Sequence, residues 1–287
     1  MRIGITGSSG FIGSELVKYF SGKGHQVLML QRKPPRVLFP NCEYMPYDIS
    51  EAALPQLINL DVLIHTAYMP NTKQNNSSEH NIKSTLALAE VCKKINTQFI
   101  FLSSMSAHAA AESEYGWHKF QLEQQLDTSH CLILKLGLVI GEQGLFSRIR
   151  NTVKKSAVIP LIGGGSQPMQ TIYIGDAVKA IELGVEKRKT GIYHLATENV
   201  YSMKELFIQI AQSIHKRPLF IPIPFLLAEV GIDLIETLRL PIPVSKENLY
   251  GLRQLRTFNT SLDLERFGIR LNSLEDSIRL LKENHIS

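Results

Sequence analysis

Through its first two-thirds the chain alternates short apolar runs with longer stretches whose apolar residues recur at helical spacing. Residues 2–6, 26–30, 42–47, 61–67, 98–103 and 131–137 read as strands. They are apolar on both faces, as strands buried in a parallel sheet are. Residues 13–21, 81–94 and 115–127 read as helices between them. This alternation predicts an α/β fold built on a doubly wound parallel sheet, with helices on both faces.

After Gly141 the rhythm changes. Residues 159–168 contain three consecutive glycines and read as a loop. Residues 171–174 predict a short strand, 176–186 a helix, and 192–196 a strand that returns to the sheet. Residues 218–243 are rich in proline and apolar side chains, interrupted by Glu229, Asp233 and Glu236, and an amphipathic helix is expected near 225–240. Two readings of this C-terminal third stand open: a smaller lobe that closes over a ligand, and a helical cap on the sheet edge. The expected division puts residues 1–145, rejoined by 171–196, in the sheet domain, and 146–170 with 197–287 in a substrate-binding lobe.

Composition adds limits. A chain of 287 residues suits one large α/β domain or one domain with a lobe. With 44% hydrophobic and 20% charged residues it has the balance of a soluble globular protein. The net charge of +5 suits a binder of phosphorylated small molecules. No dense Lys/Arg run with interleaved aromatics points to nucleic acid. Cys42, Cys92 and Cys131 are widely spaced and odd in number, so they fit neither a disulfide framework nor a zinc site and read as buried thiols. A strand and glycine turn begin at once, which predicts no signal peptide. No apolar run reaches about 18 residues, so no transmembrane span is expected and the cytoplasm is the expected compartment.

The candidate chemistry starts at Gly7, Gly10 and Gly13, which follow the first strand and open the first helix. Such a turn brings backbone N–H groups and a helix N-terminus against a dinucleotide pyrophosphate. Gly7 makes the turn, Gly10 lets the phosphates approach, and Gly13 lets the helix pack on the strand; the alternative is a glycine-rich turn with no ligand. Ser9, Phe11 and Ile12 join the candidate cofactor residues. The second strand ends in Gln31-Arg32-Lys33, where an NAD-type fold places an acid on the adenosine ribose. The planar fork of arginine matches phosphate oxygens, which predicts NADP, with NAD still possible. Solvated cations at a strand end are the alternative. Asp48, followed by Ile49, is placed to accept from the adenine amine.

Tyr115 and Lys119 lie four apart on a predicted helix and so share a face. A nearby ammonium and a positive nicotinamide ring would favour the phenolate of such a Tyr, which then takes a proton from an alcohol or returns it to a ketone. Tyr19 and Lys23 have the same spacing, but stand at the far end of the first helix, away from the carboxyl edge of the sheet. Tyr115 follows the fifth strand, which ends Ser103-Ser104, so Ser104 is placed to bond the same substrate oxygen.

Gly7-x-x-Gly10-x-x-Gly13, Ile64-His65-Thr66-Ala67, Asn81-Ile-Lys-Ser-Thr85, Ser103-Ser104 and Tyr115-Gly-Trp-His-Lys119 resemble the extended and atypical short-chain dehydrogenase/reductases, relatives of the NAD(P)-dependent epimerases and dehydratases. Leu134-Lys-Leu-Gly-Leu-Val-Ile-Gly141 and Thr171-Ile-Tyr-Ile-Gly-Asp176 are also similar, so the likeness covers nearly the whole chain. The resemblance implies a Rossmann fold. It implies Ser104, Tyr115 and Lys119 as the catalytic residues, Lys119 also holding the nicotinamide ribose. It implies Ala67 and Leu136 as the cofactor's lining and Asn81 as support, with Thr66, Leu102 and Gly137 beside them. Met105, Trp117, Arg253 and Arg256 are the candidate substrate residues. Ser103 reads as a strand-end hydroxyl and His65 as a packed strand histidine.

Several departures bear on the substrate. His108-Ala109 stand where relatives acting on nucleotide sugars carry Tyr-Gly, and the segment from Ser104 to Tyr115 is short. Uncharged Met169 and Gln170 occupy the region of a pyrophosphate-binding arginine; Arg253 and Arg256 are its replacement or a solvated basic face. Residues 221–243 also resemble the nucleotide-binding accessory subunit of respiratory complex I. The expected function is hydride transfer with NADP on a secondary alcohol or ketone, of a nucleotide sugar, by a 4-ketoreductase or 4-epimerase. A structural or redox-sensing NADP(H) module, peripheral to a membrane, is the alternative, and homodimerisation is expected from the resemblance.

Overall fold

The computed structural model describes residues 1–51, 54–70, 77–237 and 246–283. The chain opens with β1 (Arg2–Thr6), α1 (Phe11–Gly22), β2 (Gln26–Gln31), β3 (Cys42–Pro46), β4 (Val62–His65), α2 (Ser77–Lys94), β5 (Gln98–Ser104), α3 (Glu114–Gln125) and β6 (Cys131–Leu136). There follow β7 (Leu138–Ile140), α4 (Gly144–Lys155), β8 (Val158–Ile162), β9 (Pro168–Met169), β10 (Thr171–Tyr173), α5 (Ile174–Glu186) and β11 (Gly191–Leu195). The last elements are β12 (Tyr201–Ser202), α6 (Met203–Ser213), β13 (Leu219–Ile223), α7 (Phe225–Thr237), α8 (Lys246–Arg253), α9 (Ser261–Phe267) and α10 (Leu274–Glu283).

A seven-stranded sheet runs in the order β11-β6-β5-β4-β1-β2-β3, every pair parallel. The order reverses between β1 and β4, so a crevice opens there beyond the strands' carboxyl ends. Alternation along each strand feeds two cores. Ile100, Leu102, Leu132 and Leu134 enter one; Phe99, Phe101, Cys131 and Ile133 enter the other, together with Leu122 of α3. The first core continues without a break into the C-terminal elements through Phe146, Leu206, Phe267 and Leu281.

Residues 159–168 are not a simple loop. β8 pairs in parallel with β13, and Ile159 and Leu161 are buried while Val158 and Pro160 face solvent. Pro160 hides this alternation in the sequence, yet proline is tolerated in a pair with open edges. The proline-rich stretch at 218 therefore begins as a strand. α7 begins where the amphipathic helix is expected; residues 238–243 lie outside the described residues. Leu226, Leu227 and Val230 of α7 are exposed, and no helix among the described residues is long and apolar enough to cross a membrane. Cys92 and Cys131 are buried, but Cys42 is only half-buried, because β3 is an edge strand.

Candidate active site

The turn between β1 and α1 leaves no room for side chains. Gly7 has φ +66°, and a Cβ there would lie 2.8 Å from the Ala67 nitrogen. A Cβ on Gly13 would lie 2.2 Å from the Gly7 carbonyl oxygen. Glycine is thus imposed by the turn itself. Gly10 precedes α1 in extended conformation, and no side chain caps the helix. Its first N–H groups are open to an anion, so the turn fits a dinucleotide pyrophosphate. Ser9 is exposed, Ile12 packs on the core, and the Phe11 ring fills the space beside Gly141 and Gly144.

Gln31 is buried where β2 ends. Its Oε1 accepts from Ser8 Oγ at 2.8 Å and its Nε2 donates to the Lys33 carbonyl at 2.7 Å. Its amide therefore ties the glycine turn to the strand end. Arg32 and Lys33 are exposed. Asp48 Oδ1 accepts from Ser50 N and Oγ at 2.9 and 2.7 Å. Burial pushes its carboxyl up, but these bonds and the Arg32 charge outweigh it and hold the pKa below the usual range. Ile49 is buried, and its carbonyl accepts from Ser84 of α2.

The far wall follows β4. Thr66 Oγ1 donates to the Thr6 carbonyl at 2.7 Å, and Ala67 N donates to Thr6 Oγ1 at 3.3 Å. Asn81 clamps the next turn, accepting from Met69 N at 2.9 Å and donating to Met69 O at 2.8 Å. Its amide is therefore spent on backbone. His65 is fully buried between the Phe99 and Phe101 rings, with its nitrogens on Thr6 and Thr85. Burial, helped by Lys119, lowers its pKa to about 3, so it is a packed neutral histidine.

Ser104, Tyr115 and Lys119 come together at the carboxyl end of β5. Ser113 caps α3 by accepting from Gly116 N, which starts the helix beside the strand end. Ser104 stands beside the Tyr115 phenol and draws its pKa down. The Tyr115 ring meets Tyr68 edge-on, at 4.9 Å between centroids. Lys119 is 3% exposed, and its Nζ donates to the Leu102 carbonyl at 2.7 Å. It lies 4.3, 5.6 and 6.0 Å from the ring centres of Phe101, Tyr68 and Tyr115. Burial lowers its pKa to about 7 against the pull of Glu123. The expected phenolate is not what the protein alone favours. Burial pushes the Tyr115 phenol up, and Ser104 beside it only moderates this. Tyr19 and Lys23, by contrast, both engage Glu182 at the other end of α1.

The model of the NAD dependent epimerase/dehydratase family matches residues 3–196. The chain belongs to that family. It is accordingly an NAD(P)-dependent enzyme. A putative UDP-glucose 4-epimerase of Methanocaldococcus jannaschii is 26% identical over 244 residues, spanning 71% of this chain and 79% of the relative. The mitochondrial NADH dehydrogenase (ubiquinone) 1 alpha subcomplex subunit 9 of Arabidopsis thaliana is 22% identical over 299 residues, spanning 94% of this chain and 73% of the relative. The crystal structure of a human epimerase family protein with NADPH has a TM-score of 0.75 at 16% identity, covering 99% of this chain and 100% of that one. That likeness shows the fold.

In this epimerase/dehydratase member the residues expected on the substrate side come from distant segments. Met105 is buried, and its N–H donates to the Leu136 carbonyl. Leu102 and Leu136 are buried as well. Gly137 is fixed by packing, since a Cβ there would meet the Gln170 carbonyl at 2.5 Å. Trp117 is 41% exposed beside Phe120, and the structure does not bring it to Tyr115. The reason is spacing: two residues along a helix turn the side chain by about 200°. Arg253, which ends α8, and Arg256 are exposed on the strap formed by residues 253–260 between α8 and α9. His108 Nε2 bonds the Gln254 carbonyl at 2.9 Å, and Gln254 donates to Glu112 at 2.6 Å, which anchors the strap beside the Ser104 loop. Gln170 holds the same strap by bonds to both backbone groups of Phe258.

Sequence reasoning missed Tyr68, Glu123 and Lys135. Tyr68 belongs to no spacing pattern. Lys135 did carry a signal, being a lone charge inside the apolar strand Cys131–Leu136.

Proposed function

We propose that the chain binds NADP(H) in preference to NAD(H) and moves hydride at a secondary alcohol or ketone carbon of a nucleotide sugar, as a 4-epimerase or 4-ketoreductase. The observation that carries this reading is the placement of Ser104 beside the Tyr115 phenol, with buried Lys119 fastened to the Leu102 carbonyl next to them, at the carboxyl end of β5. The likeness to a putative UDP-glucose 4-epimerase supports the substrate class. The preference for NADP rests on Gln31, an uncharged side chain already spent on Ser8 and Lys33, with Arg32 and Lys33 exposed beside it for a 2′-phosphate.

The glycine turn would hold the pyrophosphate, Asp48 the adenine amine, and Thr66, Ala67 and Leu136 the flanks of the dinucleotide. When bound, the nicotinamide supplies the hydride donor or acceptor. The chain supplies the proton. Tyr115, kept as the phenol by burial, gives its proton to a carbonyl oxygen in reduction and recovers it from the alcohol in the reverse direction. The Ser104 hydroxyl bonds that same oxygen. Lys119 stabilises the phenolate as it forms, and Arg253 and Arg256 are the cations for a diphosphate.

Calorimetric titration with NADPH and NADH tests the cofactor, with NADPH expected to bind more tightly. UDP-glucose and UDP-galactose interconversion tests the chemistry. Tyr115→Phe should lower kcat by about 10²- to 10⁴-fold while leaving NADPH affinity unchanged. A fully active variant would end this reading. A protein that keeps its cofactor through gel filtration is the epimerase; one that exchanges it at each turnover is the reductase.

A further inference from the structure

Lys135 stands on β6 among leucines and isoleucines and is 5% exposed. A buried ammonium loses several kcal/mol of hydration and needs partners in good geometry. Its Nζ donates to Glu123 Oε2 at 2.7 Å and to the Ala107 carbonyl at 2.7 Å, and lies 5.5 Å from the Phe258 ring centre. An ammonium has three donors, and here a carboxylate, a carbonyl and a ring face surround it.

Each partner belongs to a different part of the site. Glu123 lies on α3, one turn beyond Lys119 and two beyond Tyr115. Ala107 lies in the loop from Ser104 to Tyr115 and precedes His108, which holds Gln254. Phe258 belongs to the strap that carries Arg253 and Arg256.

The sheet register extends the arrangement. Ser103 of β5 and His194 of β11 flank Lys135 on the neighbouring strands. Ser103 Oγ donates to Glu123 Oε1 at 2.5 Å. His194 Nδ1 meets Asp263 Oδ2 of α9 at 2.7 Å, and its ring stacks on Phe258 at 4.8 Å. The end of β5 thus grips α3 at successive turns, the Leu102 carbonyl at Lys119 and Ser103 at Glu123, and sets Ser104 beside Tyr115.

We propose that Lys135 is a positioning residue of the active site. It fixes α3, the loop after Ser104 and the C-terminal strap against one another, and so sets the spacing between the Tyr115 phenol and the cations that would seat a substrate. This rests on the reading of Tyr115 and of Arg253 and Arg256 given above. An apolar side chain would fill the same volume without the burial cost, but it could bond neither the carboxylate nor the carbonyl.

The test uses Lys135→Met, Lys135→Arg and the double variant Glu123→Gln/Lys135→Met. The double variant leaves no buried charge unpaired and keeps the question open to experiment should the single methionine variant fail to fold. Hydrogen exchange is followed on the whole chain without ligand, alongside UDP-glucose turnover and NADPH titration. In the double variant, exchange should rise about tenfold in both 105–113 and 254–260 and stay unchanged around the glycine turn. Its kcat should fall about a hundredfold, as for a displacement of about 1 Å, with NADPH affinity unaltered. Lys135→Arg should restore protection in both segments. Exchange that rises across the whole chain, or in neither segment, overturns the proposal, as does an unchanged kcat in an enzyme that turns over. If the wild type converts no UDP-sugar, the functional reading falls, and the exchange pattern alone decides the role of Lys135.

Discussion

Replacing Lys119 with methionine measures what a charge costs inside this site. The lysine is 3% exposed, its Nζ is held by the Leu102 carbonyl at 2.7 Å, and aromatic rings surround it. Burial carries its pKa from the ordinary 10.5 to about 7, with Glu123 pulling the other way. The unfolded chain therefore holds this proton up to about pH 10.5 and the folded chain only up to about pH 7. Between those values the unfolded state binds more protons, so stability rises with pH. Each pH unit is worth about 1.4 kcal/mol, and the whole interval about 5 kcal/mol. Below pH 7 both states are protonated and the burial cost is present in full. Methionine keeps the length and volume without the charge. Urea unfolding of both proteins from pH 6 to 9.5 gives the comparison, and subtraction removes other groups that titrate in the same range. The wild-type-minus-variant stability should climb by about 3 kcal/mol between pH 7 and 9.5, and the variant should be the more stable protein at pH 6. A flat difference, or a variant less stable at pH 6, would refute the reasoning.

Gly13→Ala places a Cβ 2.2 Å from the Gly7 carbonyl, so it should cost about 1–3 kcal/mol of stability and weaken NADPH binding at least about tenfold, by thermal unfolding and calorimetry. Arg32→Ser combined with Lys33→Ser should weaken NADPH by about tenfold or more and leave NADH unchanged, because only the 2′-phosphate is lost as a partner. His65 has its folded pKa depressed from 6.5 to about 3, so its contribution is present above pH 6.5 and is lost as pH falls toward 3. His65→Phe should remove up to about 3 kcal/mol of that acid loss between pH 7 and pH 4, read from unfolding curves at those two values.

The strands were legible because a parallel sheet buried on both faces demands near-continuous apolar runs, and 98–103 and 131–137 have that character. The β8–β13 pair was not, because Pro160, Pro222 and three glycines mask a two-residue alternation. Topology separated Tyr115 from Tyr19: the spacing is identical, but only Tyr115 follows a strand's carboxyl end. The electrostatics read less well. A lysine near a tyrosine suggests a lowered phenol pKa, and burial, which the sequence does not display, reverses the sign for Tyr115 and lowers Lys119 as well. The Lys135 network was hidden for a different reason. Glu123, Ala107 and Phe258 lie on separate elements, and no spacing rule joins them.

Three titratable groups of the site share one property. His65 is held neutral, Tyr115 is held as the phenol, and Lys119 is brought close to half-protonation at neutral pH. The ion pair nearby is Glu123–Lys135, where each group has its partner at 2.7 Å. The compartment is therefore built against uncompensated charge, and a proton leaving Tyr115 would be costly if it left a bare phenolate. Proton transfer is most efficient when a neighbouring group has its pKa near the operating pH. On the proposed function Lys119 would be that group: near pH 7 it would meet a forming phenolate as the ammonium, and pass to the neutral amine at little cost when it returns a proton to restore the phenol. On the proposed function the depressed pKa of Lys119 would belong to the proton-transfer step, and the ring-lined pocket that produces it would be part of the machinery.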